Sequence, residues 1–217
     1  MKNILKSEEY DIIAPKFKLA FGWILEIVEL GYFIDADVIA TLIDNKGELI
    51  SDNHIVYYNS ELRLKVNYPG RSNELALPIE IIKESDLSSI CREETRPTDP
   101  EMSVIGSIEY CCEREEFIDN ETWDVDLSKI HPNVKQIIFY ANIYNGEETK
   151  QNFKYSALYC SYQNNIETEY LYELNQESLS CPTVEICRIL KDTDSWKIKF
   201  TGIGCNDIHE ILSKHTR

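Results

Sequence analysis

The stretch Phe33-Ile-Asp-Ala-Asp-Val-Ile-Ala-Thr-Leu-Ile-Asp-Asn-Lys-Gly47 decides how this chain is read. Within it Val38, Ala40 and Leu42 alternate with Ile39, Thr41 and Ile43. A strand here presents apolar side chains to both faces and so belongs in the interior of a sheet. Asp44-Asn45-Lys46-Gly47 then predicts a turn, because Asp and Asn bond neighbouring backbone and Gly accepts positive φ. A hairpin partner is expected around Ile55-Val56-Tyr57-Tyr58. At the start of the strand Asp35 and Asp37 are two residues apart, so their carboxylates emerge on one face and suit a hard cation.

Strand patterns recur outward from this point. Lys16 to Val28 reads as one long strand or a strand pair. Val134 to Tyr144, Tyr155 to Tyr162, Glu169 to Leu174, Thr183 to Leu190 and Trp196 to Ile203 are separated by turn-like segments. In the last of these Trp196, Ile198 and Phe200 alternate with Lys197, Lys199 and Thr201, which predicts one core face and one solvent face. Asp207 to His215 predicts a short C-terminal helix with Asn206 as its N-cap. The expected fold class is all-β, an antiparallel β-sandwich closed by that helix, with residues 1–217 as a single domain. Residues 60–116 break the pattern. Strands are expected at Leu77 to Ile82 and Ser103 to Tyr110, around the polar, proline-bearing Ser85 to Glu101. Such a stretch adds length at modest closure entropy, so it is read as an insertion forming an appended surface.

A second acidic turn, Asp119-Asn-Glu-Thr-Trp-Asp-Val-Asp-Leu-Ser-Lys129, feeds another strand pattern. Taken in order, several pieces resemble the tellurium-resistance TerD family of bacterial stress proteins. They are Gly22-Trp23, Asp35-Ala-Asp37, Tyr57-Tyr58-Asn59, Asp119-Asn-Glu121, Val125-Asp-Leu-Ser128, Gln136-Ile-Ile-Phe139, Ile143-Tyr-Asn145, Gln151-Asn-Phe153 and Trp196 to Gly204. The likeness lapses over roughly fifty residues after Asn59. It implies a TerD-type β-sandwich, calcium binding, and a place in a metal- or tellurite-responsive assembly of stress proteins near the membrane, with a link to phage defence. It would also bring Asp119, Asn120 and Glu121 near Asp35 and Asp37, with Asn145 at the same end of the sandwich as a sixth candidate ligand. One departure bears on affinity. Where the family carries a glycine-rich run, this chain reads Glu109-Tyr-Cys-Cys-Glu-Arg-Glu-Glu-Phe-Ile118. Without glycine to turn carbonyls inward, calcium binding is expected to be weak or lost. The alternative is an interaction module that has lost calcium and uses residues 60–116 as its partner surface.

Composition narrows the partners. A formal net charge of −16, from 38 acidic against 22 basic residues, disfavours nucleic acid, which requires clustered Lys and Arg. Seven cysteines, at 91, 111, 112, 160, 181, 187 and 205, form no paired framework, and the opening Met1-Lys-Asn-Ile-Leu-Lys-Ser lacks an apolar core. A cytoplasmic location without membrane insertion is the expectation. Signals for catalysis are few. His54, His131, His209 and His215 show no zinc spacing, and Ser128 sits in no nucleophile elbow. Gly202-Ile-Gly204 lacks the third glycine of a phosphate loop, and adjacent Cys111 and Cys112 point apart on a strand. A non-catalytic protein is expected.

Overall fold

The computed structural model describes residues 2–3, 8–25, 35–66, 78–83, 95–107, 112–113, 118–119, 121–164, 169–174 and 178–216. Two six-stranded sheets face each other. The first runs, in spatial order, β1 (Lys2–Asn3), β15 (Glu169–Glu173), β14 (Ser156–Asn164), β3 (Lys16–Leu25), β12 (Glu121–Asp126) and β9 (Val104–Ile105). The second runs β2 (Glu9–Asp11), β17 (Trp196–Cys205), β16 (Thr183–Lys191), β13 (Gln136–Ile143), β4 (Ala36–Ile43) and β5 (Ile55–Val56). Neighbours pair antiparallel throughout, apart from the parallel β1–β15 contact.

Alternation places the core. Phe17, Leu19 and Phe21 of β3, Trp123 and Val125 of β12, and Leu158, Cys160 and Tyr162 of β14 face Val38, Ala40 and Leu42 of β4, Ile137 and Phe139 of β13, and Ile198 and Phe200 of β17. Rings join the sheets directly: Phe139 meets Phe21 at 5.6 Å and takes the edge of Trp123 at 5.7 Å. β13 is central in the second sheet, between β4 and β16. In β16 a bulge shifts the register between Glu185 and Cys187. Ile186 and Cys187 are both fully buried against the core, while Glu185 receives a bidentate ion pair from Arg188 at 2.5 and 2.6 Å.

The double-sided apolarity of β4 is explained by a second cluster. Ile39 and Ile43 lie on the face away from the sandwich core, with Ile138, Tyr140, Leu49 and Ile211. Ile211 belongs to α2 (Ile208–Ser213), so the C-terminal helix covers this outer face. Asp207, rather than Asn206, is its N-cap, accepting from the His209 amide at 2.7 Å. Beyond the helix, His215 accepts the Leu49 N–H at its carbonyl and sets Nδ1 2.7 Å from the Gly47 carbonyl. The Asp44 turn forms as expected: Asp44 Oδ1 accepts the Lys46 and Glu48 amides, and Gly47 has φ +83°. Tyr57 and Tyr58 lie outside the hairpin strand. Ser60 ends β5 by accepting the Tyr57 N–H at Oγ and donating that hydroxyl to the Ile55 carbonyl.

Residues from the 60–116 stretch build a third, three-stranded sheet in the order β7 (Pro78–Lys83), β6 (Leu62–Val66), β8 (Thr95–Pro97). β10 (Cys112–Glu113) and β11 (Ile118–Asp119) pair as a hairpin, and β9 extends the first sheet. Arg96 of β8 fastens the third sheet to the first. It is 2% exposed and donates to the carbonyls of Gly106, Ile105 and Thr122 and to Asp124 Oδ2, the last at 2.6 Å. Gly106 makes this approach feasible, since a Cβ there would stand 2.7 Å from Pro97 Cγ and 3.2 Å from Trp123 Cη2. Gly106→Ala is therefore expected to lower stability by roughly 1–3 kcal/mol, read as an earlier urea midpoint with unchanged slope.

Candidate functional site

One end of the second sheet gathers polar side chains on its outer face. Register pairs Asn142 with Asp37 on one side and Thr183 on the other, and Thr183 with Cys205. These four form a row across β4, β13, β16 and β17, on the face that carries Ile39 and Tyr140. Thr183 Oγ1 donates to Asn142 Oδ1 at 2.6 Å, fixing the middle of the row. Around it lies a groove of about 460 Å³ lined by Asp37, Tyr57, Tyr58, Asn59, Asn142 and Tyr144 among others. α1 (Gly146–Thr149) forms one wall and the start of α2 another.

Each wall is held from within the fold. Asn145 takes the left-handed conformation, φ 51°, and caps α1, while Thr149 Oγ1 donates back to its carbonyl at 2.8 Å. The Tyr144 N–H donates to the Asp35 carbonyl, tying that loop to the start of β4. On the opposite side Arg63, 2% exposed, donates to the carbonyl of Tyr58 and, through Nε, to Thr95 Oγ1. The Tyr57–Asn59 turn thus rests on a buried guanidinium as well as on Ser60.

The residues expected to bind a cation separate into three groups. Asp37 and Asn145 line the groove, and Asp35 is exposed beside it. Glu121 turns into the sandwich, where Oε1 accepts the Val38 N–H and Oε2 accepts the Trp123 indole N–H, each at 2.7 Å. Asp119 is placed by its backbone, opposite Cys112 in the β10–β11 hairpin, while its side chain and Asn120 lie outside the described residues. Among the described residues no three His, Cys, Asp or Glu side chains gather closely enough to hold a metal ion.

A second polar cluster joins residues far apart in sequence. His54 is buried, with Nδ1 2.8 Å from Ser51 Oγ and Nε2 3.1 Å from Glu101 Oε2, and the His131 ring meets it edge-on at 5.7 Å. Glu101 also interacts with Asp99, whose carboxylate accepts the amides of Ser103 and Val104 and the Ser103 hydroxyl. Burial pushes the Asp99 carboxyl up to about 6, against those donors and with help from Glu101. Burial also holds His54 below its ordinary value, against the pull of Glu101. Spacing between histidines could not reveal this cluster, because its members meet only when the turn before β5 packs on the turn after β8.

The facing sheets, with a helix and a polar groove on the outer face of the second, define an all-β sandwich protein. The TerD domain family model matches residues 97–215, just over half of the chain, and the chain belongs to the TerD family. The match begins at the end of β8 and takes in β9. Two solved structures share the fold. A homologue of telluride resistance protein (TerD), SCO6318 from Streptomyces coelicolor A3(2), superposes with a TM-score of 0.51 at 10% identity, covering 91% of this chain and 94% of that one. SAV2460, a protein of unknown function, gives 0.50 at 10% identity, covering 93% and 97%. Among the described residues no helix is long and apolar enough to cross a membrane.

Two outcomes follow from these contacts. Glu121→Gln presents an amide N–H₂ to one of two buried donors, so it should cost roughly 1–3 kcal/mol in urea unfolding followed by tryptophan fluorescence. Asp99, with its folded value raised, favours folding at low pH, and this contribution is lost as pH rises from about 4 through about 6. His54, with its folded value lowered, acts oppositely: its contribution is present above the ordinary histidine value of 6.5 and lost as pH falls. Asp99→Asn removes only the first effect. Urea midpoints at pH 4, 5 and 6 should climb more steeply, or fall less, in the variant than in the wild type.

Proposed function

We propose that this chain is a non-catalytic, stress-responsive member of the TerD family that works by binding, within a metal- or tellurite-responsive assembly. The observation that carries this reading is the outer-face groove, whose walls are braced by Arg63, Ser60 and the bonds from Thr149 to the Asn145 carbonyl. A braced groove at converging strand ends suits recognition, because little ordering entropy remains to be lost on binding. The Ser51–His54–Glu101 chain does not alter the reading. His54 is only 3% exposed and Glu101 takes up its second nitrogen, so the imidazole is committed to the turn it fastens.

Calcium enters this reading as a weak ligand. Asp35 and Asp37 supply anionic oxygen beside the groove, whereas Glu121 spends both oxygens on Val38 and Trp123. The run from Glu109 to Ile118 contains no glycine, the residue best suited to the sharp turns that aim carbonyls at an ion. The expected dissociation constant is on the order of 10⁻⁴ M or poorer. Calorimetric titration of the wild type beside an Asp37→Asn, Asp119→Asn double variant at matched ionic strength tests this. Submicromolar binding by the wild type contradicts the weakness, and equal binding by the variant removes these residues from the site.

A further inference from the structure

Five large apolar or aromatic side chains are described as exposed, and three of them, Tyr57 at 36%, Tyr58 at 43% and Tyr144 at 61%, line the outer-face groove. Exposed rings scattered singly need no explanation, but rings concentrated on the rim of one cavity mark a contact surface. These rings also stand on turns already fixed by the fold, which is how an aromatic anchor is presented at low entropic cost.

The charge of the lining says what the rings meet. Asp37, Glu147, Glu148 and Asp207 contribute four carboxylates, and the one basic-type side chain in the lining is His209. Four acids beneath a tyrosine rim repel anionic partners and attract cations. The chemistry is also displayed within the fold, where the guanidinium of the buried Arg63 lies 6.0 Å from the centroid of the Tyr58 ring. The solvent side of the rim offers the same pairing to a partner. Arginine suits it better than lysine, because a planar guanidinium stacks on a phenol ring while its N–H fork reaches a carboxylate.

We propose that this groove receives arginine side chains from a basic segment of a partner protein, with Tyr58 and Tyr144 flanking the guanidinium and Asp37 and Asp207 accepting its N–H groups. This rests on the binding reading above and is separable from the calcium titration, which probes a different ligand.

The test uses the full chain, ¹⁵N-labelled, titrated with an octapeptide of alternating glycine and arginine and with its glycine–glutamate counterpart. The arginine peptide is expected to shift the amides of Tyr57 to Asn59 and Tyr144 to Glu148 at saturable concentration, and the glutamate peptide to shift none. Tyr144→Ala is expected to weaken binding about fivefold or more, and Asp37→Asn several-fold. Asp194→Asn removes the same charge from the β16–β17 turn at the far end of the sheet and should leave affinity within twofold. Should Asp37→Asn disturb the start of β4, Glu147→Gln with Glu148→Gln lowers the charge of the same groove from exposed positions on α1. Equal weakening by Asp194→Asn and the groove variants would mean diffuse attraction to the acidic surface, and would overturn the site. Shifts outside the groove, or no binding at millimolar peptide, would overturn it as well. If the peptide fails while the calcium titration behaves as expected, only the arginine assignment falls. Turnover of a substrate that depends on the groove would remove the binding reading beneath both.

Discussion

The carboxylate of Glu121 is the contact on which the architecture turns. β5 pairs only with Ala40 and Thr41 of β4, so the Val38 N–H lies beyond its reach inside the sandwich. An unmet buried amide costs roughly 1–3 kcal/mol. Glu121 reaches across from the facing sheet to accept it, and with its other oxygen holds the indole of Trp123. That ring then fixes two further contacts, the edge-on packing against Phe139 and the close approach of Gly106. Gly106 in turn offers its carbonyl to Arg96, which carries the third sheet. One carboxylate thus links both main sheets and, two contacts on, the smaller one.

Much of this was legible from side-chain alternation. Val38, Ala40 and Leu42 against Ile39, Thr41 and Ile43 correctly implied a strand covered on both faces, and the covering element proved to be the predicted C-terminal helix. The Trp196, Ile198, Phe200 side of β17 likewise turns toward the core. Local signals erred where a nearby side chain outbid them. Tyr57 and Tyr58 have strand-like chemistry, yet Ser60 closes a turn on the backbone around them. Asn206 and Asp207 are comparable caps in isolation, and α2 uses the carboxylate.

The polar sites were less legible, because their members meet through topology. Asp37 and Asn145 stood out as oxygen donors at strand ends, and both line the groove. Asn142 and Thr183 drew no notice, since nothing local distinguishes a side chain paired across β13 and β16 from one facing water. Glu121 was singled out for its charge beside other acids, whereas its environment is set by the strand parity of β12 and by a missing partner for Val38. Nothing local in the sequence marks Arg63 and Arg96 as interior; the docking of β8 against β6 and the first sheet buries them.

The bulge in β16 separates two design problems that a regular strand would join. Before it, Val184 faces inward and Thr183 and Glu185 outward; after it, Cys187 and Ile189 face inward. The strand therefore carries a phase slip. The half that borders the groove and the half that fills the far core obey opposite parity, with Ile186 and Cys187 absorbing the change in adjacent positions. Outward residues near Thr183 can vary under selection for recognition without imposing a pattern on Ile189 and its neighbours. The irregularity gives one continuous strand two separately editable segments.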